Sequence, residues 1–385
     1  MQGSNLKITT KLPEVSTTIF TVMSALANEQ NAINLSQGFP HFQPDLKLQS
    51  LVKKYMEMGL NQYAPMAGII PLRKAIAEKY RDLYVAEIDF EKEITITAGG
   101  TQAIFTSILS VVNKDDEVII FEPAYDCYAP TVELVGGKPI FIKLRAPDFR
   151  IPWDEVRAVL GSKSRMIIIN SPHNPTASLL DSTDIDALTE ITNNSDLLIL
   201  SDEVYEHTCF DGREHESILR YPHLLKRSFV VFSFGKTYHS TGWKLGYCIA
   251  PEALMKEFRK VHQFNVFSVN TPFQYAFADF VKEKEQYKSL NNIYQQKRDL
   301  FLNLLKDSKF SALPCHGTYF QLLSFEKISQ MYDVDFAREL TIEHKVASIP
   351  ISVFYHDKMD QKILRFCFAK DDDTLIKAAE KLNSI

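Results

Sequence analysis

Residues 228–246 read SFVVFSFGKTYHSTGWKLG and carry the strongest indication of fold and chemistry in this chain. The opening apolar run predicts a buried strand, and Lys236 stands at its end. A lysine at the mouth of a buried strand is desolvated, which lowers its pKa and leaves a nucleophilic amine. Ser233 and Lys244 flank it with a hydroxyl and an ammonium that suit an anion. Pyridoxal phosphate offers an aldehyde to such an amine and a phosphate to such neighbours.

Taken alone, Lys236 has two other interpretations. Lysine and arginine make up 43 of the 385 residues, and most lysines at strand ends are simply solvated. The spacing Ser233-x-x-Lys236 also fits serine acyl-enzymes, but no S-D-N or K-T-G motif follows it. A cofactor site therefore requires further residues.

A second short apolar run, in LLILSDEVYEH, places Asp202 and Tyr205 just beyond another predicted buried strand. A carboxylate there can keep a pyridine nitrogen protonated, so that the ring accepts electrons from the substrate α-carbon. Tyr205 can donate a hydrogen bond to the phenolic oxygen of the cofactor. An aspartate after a strand is more often a helix cap or a turn residue.

Two loops complete the pattern. In MIIINSPHNPTAS, prolines hold Asn170 and Asn174 in a rigid loop where an amide can be fixed beside a flat ring, although an ordinary Asn-Pro turn fits equally well. In EITITAGGTQAIF, a glycine turn leads from strand to helix. The backbone amides of Gly100, Thr101 and Gln102 would there point at an anion.

These four segments, in this order, resemble the fold-type I pyridoxal phosphate enzymes, and among them the class I aminotransferases. The resemblance runs from KLPEVSTTIF to RFCFAKDDDTL, nearly the whole chain. It is nearest to the bacterial methionine aminotransferases, within the glutamine and kynurenine branch, through TTIFTVMSALA, INLSQGFPHF, NQYAPMAGIIPLR and FSVNTP. It implies an α/β fold with a mainly parallel sheet sandwiched by helices, plus a smaller α+β domain.

The resemblance also implies roles for individual residues. Lys236 would be the catalytic residue and bond covalently to the cofactor. The other implied cofactor contacts are Gly100, Thr101, Gln102, Tyr125 (stacked on the ring), Asn174, Asp202, Tyr205, Ser233 and Lys244, with Tyr63 reaching the cofactor of a neighbouring subunit. The implied substrate contacts are Gly38, Asn174 and Arg365, whose guanidinium can pair bidentately with an α-carboxylate. No metal is implied.

The chain departs from the family pattern at two places. The usual N-P-H-N-P-T-G motif reads Asn170-Ser-Pro-His-Asn-Pro-Thr-Ala177, so an alanine replaces the terminal glycine. Kynurenine-preferring relatives have Phe-His before a proline, whereas this chain has Val269 and Asn270 before Thr-Pro. The second departure lowers the expectation for kynurenine as a substrate.

Composition and periodicity agree with this interpretation. The net charge of -5 and the pI near 6.1 argue against a nucleic-acid partner. Five cysteines without CxxC spacing indicate reduced thiols and a cytoplasmic location, and no apolar run reaches the roughly 18 residues of a membrane span. Helical and strand patterns alternate from about 45 to 270.

We expect residues 45–280 to form the large cofactor-binding domain and 281–385 the small one, with 1–44 as an arm that returns to the small domain. The stretch FADFVKEKEQYKSLNNIYQQKRDLFLNLL predicts one long bridging helix between them. A homodimer with shared active sites is expected from the family.

The predicted function is ping-pong transamination of an L-amino acid, methionine, aromatic or glutamine-like, with a 2-oxo acid. A carbon–sulfur β-lyase acting on cystathionine or cysteine conjugates would use the same residues and stays open as the alternative. A pyridoxal phosphate-dependent transcription regulator would need a DNA-binding module, and we expect none because the family resemblance begins near the start of the sequence. A catalytically inactive scaffold is disfavoured because Lys236, Asp202, Tyr205 and Arg365 are all present.

Overall fold

The computed structural model describes residues 9–193 and 195–385, and the first eight residues of the predicted arm lie outside it. Its strands are β1 (Ile33–Asn34), β2 (Ile94–Thr97), β3 (Glu117–Glu122), β4 (Lys138–Lys143), β5 (Ser164–Asn170), β6 (Leu198–Asp202), β7 (Ser228–Ser233), β8 (Gly246–Ile249), β9 (Ser311–Ala312), β10 (Phe320–Ser324), β11 (Val346–Ala347), β12 (Ile349–Pro350) and β13 (Ile363–Cys367).

The helices surround these strands. They are α1 (Ile19–Glu29), α2 (Leu46–Glu57), α3 (Ile70–Tyr84), α4 (Gly99–Val111), α5 (Tyr128–Leu134), α6 (Trp153–Val159), α7 (Ser182–Asn193), α8 (Pro222–Leu225), α9 (Phe234–Thr237), α10 (Glu252–Asn265), α11 (Thr271–Phe280), α12 (Glu285–Lys288), α13 (Leu290–Leu304), α14 (Asp333–Ile342) and α15 (Asp372–Asn383). Short 3₁₀ helices span Ile218–Arg220, Thr241–Trp243 and Ile351–Phe354.

A seven-stranded sheet in the order β2-β8-β7-β6-β5-β3-β4 forms the centre of the described chain. Strands β7, β6, β5, β3 and β4 run parallel, and β8 is antiparallel to both of its neighbours. Alternate residues of β3 face opposite cores: Val118 packs with Ile104 and Ile108 of α4, whereas Ile119 belongs to the core on the other face. The predicted α/β fold with a mainly parallel sheet covered by helices is confirmed.

A four-stranded antiparallel sheet, β12-β13-β10-β9, lies in the C-terminal part of the chain. The N-terminal segment joins this part, because β1 pairs in parallel with β11 through Ile33 opposite Val346. This pairing agrees with the expected return of the N-terminal arm. The exact boundaries at 44 and 280 stay a prediction.

The single long bridging helix was a wrong prediction, because three helices, α11, α12 and α13, replace it. Five consecutive polar residues, 282–286, separate Val281 from the buried Tyr287. With no apolar side chain to hold it on the core, this segment turns at the surface, where Glu283 pairs with Lys47 and Lys284 with Asp82.

In the ranges that the structure describes, none of the helices has the length and apolar character needed to cross a membrane. The same ranges contain no group of three or more His, Cys, Asp or Glu side chains arranged to hold a metal ion.

Candidate active site

The candidate site lies where three parallel strands end. Asn170 ends β5, Asp202 ends β6 directly opposite it, and Ser233 ends β7 on the next strand. The carboxyl ends of parallel strands meet at one edge of a sheet, which is where ligands of open α/β sheets bind. A cavity of about 170 Å³ opens at this edge.

Most of the residues predicted from sequence line this one cavity. They are Gly100, Thr101, Tyr125, Asn174, Asp202, Tyr205, Ser233, Lys236 and Lys244. Two further predicted residues contact the lining rather than form it: Gly38 accepts a hydrogen bond from Lys236, and Arg365 donates one to Asn174. The nine lining residues come from five separated segments of the chain, and Gly38 and Arg365 add two more.

Lys236 lies on the short helix α9, directly after β7. Its Nζ is 3.1 Å from the hydroxyl of Tyr319 and 3.2 Å from the carbonyl oxygen of Gly38. Tyr319 donates to the same carbonyl at 2.8 Å. Burial lowers the pKa of Lys236 to about 8. The amine is therefore held in place and readily loses its proton, as the sequence predicted.

Asp202 is 4% exposed, and burial raises its pKa to about 6. The hydroxyl of Tyr128, the first residue of α5, donates to its Oδ2 at 2.6 Å and opposes that rise. Within the described ranges no basic side chain forms an ion pair with Asp202. A protonated ring nitrogen next to this carboxylate would supply the missing positive charge.

The N-terminus of α4 forms the opposite wall. No side chain caps this helix, so the first amides, including those of Gly100 and Thr101, are free to bind an anion. Gly99 has a φ of +79°, and a Cβ built there would come within 3.3 Å of the Nζ of Lys244. The glycine turn thus lets a cationic side chain approach the amides, and Ser233 lines the same cavity.

Asn170 connects Asp202 with the loop that carries Asn174. Its Nδ2 donates to the backbone oxygen of Asp202 at 2.8 Å, and its Oδ1 accepts from the amide of Asn174 at 2.9 Å. Asn174 in turn accepts a 2.7 Å hydrogen bond from Arg365. The rigid loop predicted from the prolines therefore fixes the Asn174 amide between the cavity and β13.

Arg365 is 1% exposed yet forms no ion pair with any carboxylate in the described part of the chain. Besides Asn174, its guanidinium donates to the Ser36 carbonyl oxygen at 3.2 Å, while its Nε has no partner there. The ring of Phe320 lies 3.9 Å below it. Burial lowers the pKa of Arg365 to about 10. A buried guanidinium with unused donors is an arrangement that a carboxylate ligand completes.

Two predicted residues do not line the cavity. The Oε1 of Gln102 accepts from the amide of Ala98 and its Nε2 donates to Thr106, so the side chain supports α4 from outside the cavity. Tyr63 is 83% exposed and packs edge-on against Phe267. The predicted cofactor contacts of these two residues are untested within one chain.

The sequence did not single out two residues that hold the reactive groups: Tyr128 bonds to Asp202 and Tyr319 to Lys236. Asn170 was noted in the proline loop, but its bond to the Asn174 amide was not predicted. Tyr128 lies three residues after Tyr125 in FEPAYDCY, so its nearness in sequence to a predicted ring contact offered a local signal for it. Tyr319 lies 83 residues from Lys236, and no local pattern could connect them.

These groups fit pyridoxal phosphate. The cavity brings together a readily deprotonated amine, a buried carboxylate without a cationic partner, and free helix amides next to Lys244. Such a set would bond to an aldehyde, a ring nitrogen and a phosphate, respectively.

The chain is similar over nearly its whole length to known aminotransferases. The family model for aminotransferase class I and II matches residues 30–382. The chain is 48% identical over 376 residues to the methionine aminotransferase of Escherichia coli, covering 97% of each chain. It is 33% identical to the kynurenine–oxoglutarate transaminase of Dictyostelium discoideum, covering 94% of this chain and 93% of that protein.

Solved structures show the same likeness. The structure of an Escherichia coli protein described as having a methionine aminotransferase function superposes with a TM-score of 0.97 at 47% identity, covering 99% of this chain and all of that one. The N-succinyldiaminopimelate aminotransferase of Mycobacterium tuberculosis gives a TM-score of 0.94 at 33% identity, covering 98% of this chain and 100% of that one.

Proposed function

The chain belongs to the class I and II aminotransferases, which use pyridoxal phosphate, and from this we propose that it transfers the amino group of methionine or a similar amino acid. Donors of this kind are long, uncharged or aromatic, and the acceptor is a 2-oxo acid in a ping-pong cycle. The observation that carries the proposal is the buried guanidinium of Arg365, which lacks a carboxylate partner in the described chain and bonds to the cavity residue Asn174.

Two further observations favour an uncharged donor. The basic residues lining the cavity are Lys236 and Lys244, so within the described ranges it offers no arginine to a second carboxylate. The 48% identical relative carries the name methionine aminotransferase. The presence of Val269 and Asn270 in place of Phe-His argues against kynurenine as the main donor.

The cofactor would be held from three sides. Gly100, Thr101, Ser233 and Lys244 would bind the phosphate, and Asp202 would bond to the ring nitrogen. When bound, pyridoxal phosphate supplies an aldehyde that carries the amino group and a ring that accepts electrons. Tyr205 and Asn174 would face the phenolic oxygen, and Tyr125 the ring.

The chain's own groups would then orient the substrate and move the proton. Arg365 binds the α-carboxylate bidentately and fixes the amino acid relative to Lys236. The Nζ of Lys236 would take the proton from the substrate α-carbon and deliver it to the carbon of the cofactor's aldehyde group, so that the amino group stays with the cofactor when the 2-oxo acid leaves. Its lowered pKa keeps a substantial fraction of the amine neutral near pH 8, as a general base requires.

A panel of amino donors with one 2-oxo acid acceptor tests this proposal. We expect methionine, leucine, phenylalanine and glutamine to react well, and aspartate and glutamate poorly. Preference for the dicarboxylic donors would contradict the proposal. Release of pyruvate and ammonia from cystathionine without an acceptor would instead identify the β-lyase, which no feature of the described residues favours.

A homodimer and a cytoplasmic location belong to the same proposal. The exposed aromatic pair Tyr63 and Phe267 supports the dimer, since a second chain could cover it. Five unpaired cysteines support the location. Light scattering of the purified protein and fractionation of the source cells would test the two.

A further inference from the structure

A second, larger cavity adjoins the first. It is a groove of about 550 Å³ between the segment that leads into α1 and the 3₁₀ helix Ile351–Phe354. Tyr125 lines both cavities, so the groove opens beside the position proposed for the cofactor ring. The groove thus offers space for the side chain of an amino acid held at Arg365.

Two aromatic residues that line the groove also lie next to Arg365. Phe20 and Phe354 line the groove, and their ring centres lie 5.2 Å and 5.4 Å from the guanidinium carbon of Arg365. Ile19 and Val353 extend this apolar lining. A long apolar side chain would therefore leave the α-carboxylate site along an apolar surface.

One charged group interrupts that surface. Asp126 lines the groove and forms no ion pair with any basic residue of the described chain. It is close enough to Arg365 for the two charges to influence each other's pKa. Desolvation raises the pKa of Asp126, and Arg365 opposes that rise. The carboxyl group thus lines the groove beside the proposed α-carboxylate site without an ion-pair partner in the described chain.

The other charged groups of the groove cannot offset Asp126. Glu122 accepts hydrogen bonds from the backbone amide and Nδ1 of His356, which commits the imidazole to that pair. Lys358, Glu14 and Asp126 are all exposed to solvent, where charges are partly screened, but of the three Asp126 is the one that acts on the pKa of Arg365. No arginine of the described chain lines the groove.

We infer that Asp126 is a specificity-determining residue that excludes amino acids with a side-chain carboxylate from this groove. The inference rests on the proposed function, whose substrate class it refines. A second carboxylate extending from Arg365 would enter an apolar groove next to an unpaired like charge, which disfavours binding. Methionine, leucine and aromatic side chains meet no such repulsion.

Equilibrium binding tests the inference without turnover. Pentanoate and glutarate have the same five-carbon chain and differ in one end group, a methyl or a carboxylate. Titration calorimetry on the cofactor-loaded protein should show tighter binding of pentanoate. Asp126→Asn, which keeps size and removes charge, should reduce the affinity ratio of pentanoate to glutarate by at least about tenfold, the effect of two like charges about 12 Å apart near a protein surface.

Matched variants separate charge from structure. Asp126→Glu should keep the discrimination, and Glu14→Gln, at an exposed position of the same groove, should leave the ratio unchanged. An unchanged ratio in Asp126→Asn, or an equal loss of both ligands, would overturn the inference. Failure of the wild type to prefer pentanoate would do the same. The donor panel judges the proposed function separately, because these affinities need no transamination.

Discussion

Arg365 is a buried charge with no carboxylate partner in the described chain, and such a charge indicates where an anionic ligand binds. Replacing it with leucine should lower kcat/KM for amino acids at least about 100-fold, because a buried hydrogen-bonded charge pair contributes roughly 3 kcal/mol or more. The absorption spectrum of the bound cofactor should survive. Arg365→Lys keeps the charge but loses the planar, bidentate guanidinium group. Its kcat/KM should therefore lie between the values for the wild type and for Arg365→Leu. Unchanged kinetics in Arg365→Leu would remove the residue from the site.

The reactivity of Lys236 should rise at a lower pH than that of a simple alkyl amine. Burial brings its pKa from 10.5 to about 8, so the neutral, nucleophilic amine already predominates above about pH 8. Competitive acetylation of the cofactor-free protein, read by mass spectrometry, should show Lys236 labelling rise through pH 8 while a simple alkyl amine rises near 10.5. If Lys236 and the reference amine were acetylated with the same dependence on pH, Lys236 would not be desolvated.

Tyr128 should control the charge of Asp202. Its hydroxyl stabilises the ionised carboxylate, so Tyr128→Phe should raise the pKa of Asp202 further above about 6. At neutral pH more of the carboxyl would then be protonated, and cofactor affinity should fall. Equilibrium dialysis against pyridoxal phosphate from pH 6 to 8 measures this. The loss should be greater at the acidic end, and a pH-independent loss would indicate a purely structural role.

At the residue scale, the sequence predicted the reactive groups better than their supports. Lys236, Asp202 and Ser233 each end an apolar run, and such runs are visible locally. Tyr319 contacts a residue 83 positions away, which leaves no local pattern. The proline loop indicated Asn170, but not its bond to the backbone oxygen of Asp202, 32 residues away. For Gln102 the sequence predicted a contact through the backbone amide, which stays a prediction, and it gave no sign of the bond from the side chain to Thr106.

At the scale of elements, the site depends on how closely β8 approaches α4. A Cβ on Gly246 would lie 2.6 Å from the Phe232 carbonyl oxygen and 3.0 Å from the Gly100 nitrogen. Gly246→Ala should therefore lower Tm by a few degrees, as expected for about 1–3 kcal/mol of overpacking, and weaken cofactor binding. Gly161→Ala, where a Cβ meets nothing within 4 Å, is the control. If Gly246→Ala and Gly161→Ala had the same Tm and the same cofactor affinity, this close packing would be contradicted.

The elements themselves were predictable to different degrees. Strands β5, β6 and β7 are continuous apolar runs buried on both faces, so hydrophobicity alone located them. The helix prediction failed at residues 282–286 because helical periodicity counts charged residues as a possible exposed face. It could not anticipate that Lys47 and Asp82, from other helices, pair with Glu283 and Lys284 at the turn.

At the scale of the whole molecule, the structure of a single chain does not explain the role predicted for Tyr63. It is 83% exposed, and its neighbour Phe267 is 48% exposed. Phe264 is exposed as well, at 86%. An exposed aromatic pair such as Tyr63 and Phe267 is typical of an interaction surface. We expect a symmetric homodimer in which Tyr63 of each chain reaches the partner's cofactor.

Subunit mixing tests this arrangement. Lys236→Ala and Tyr63→Ala should each be poorly active alone, since every site in either homodimer carries one lesion. In a hybrid of the two, one site combines both lesions and the other has neither, because Lys236 comes from one chain and Tyr63 from the other. Activity should therefore rise on mixing, towards about half of the wild-type value per hybrid dimer, as one intact site in two predicts. If native mass spectrometry shows that subunits have exchanged and activity is still only the sum of the two parents, Tyr63 does not serve the partner's site.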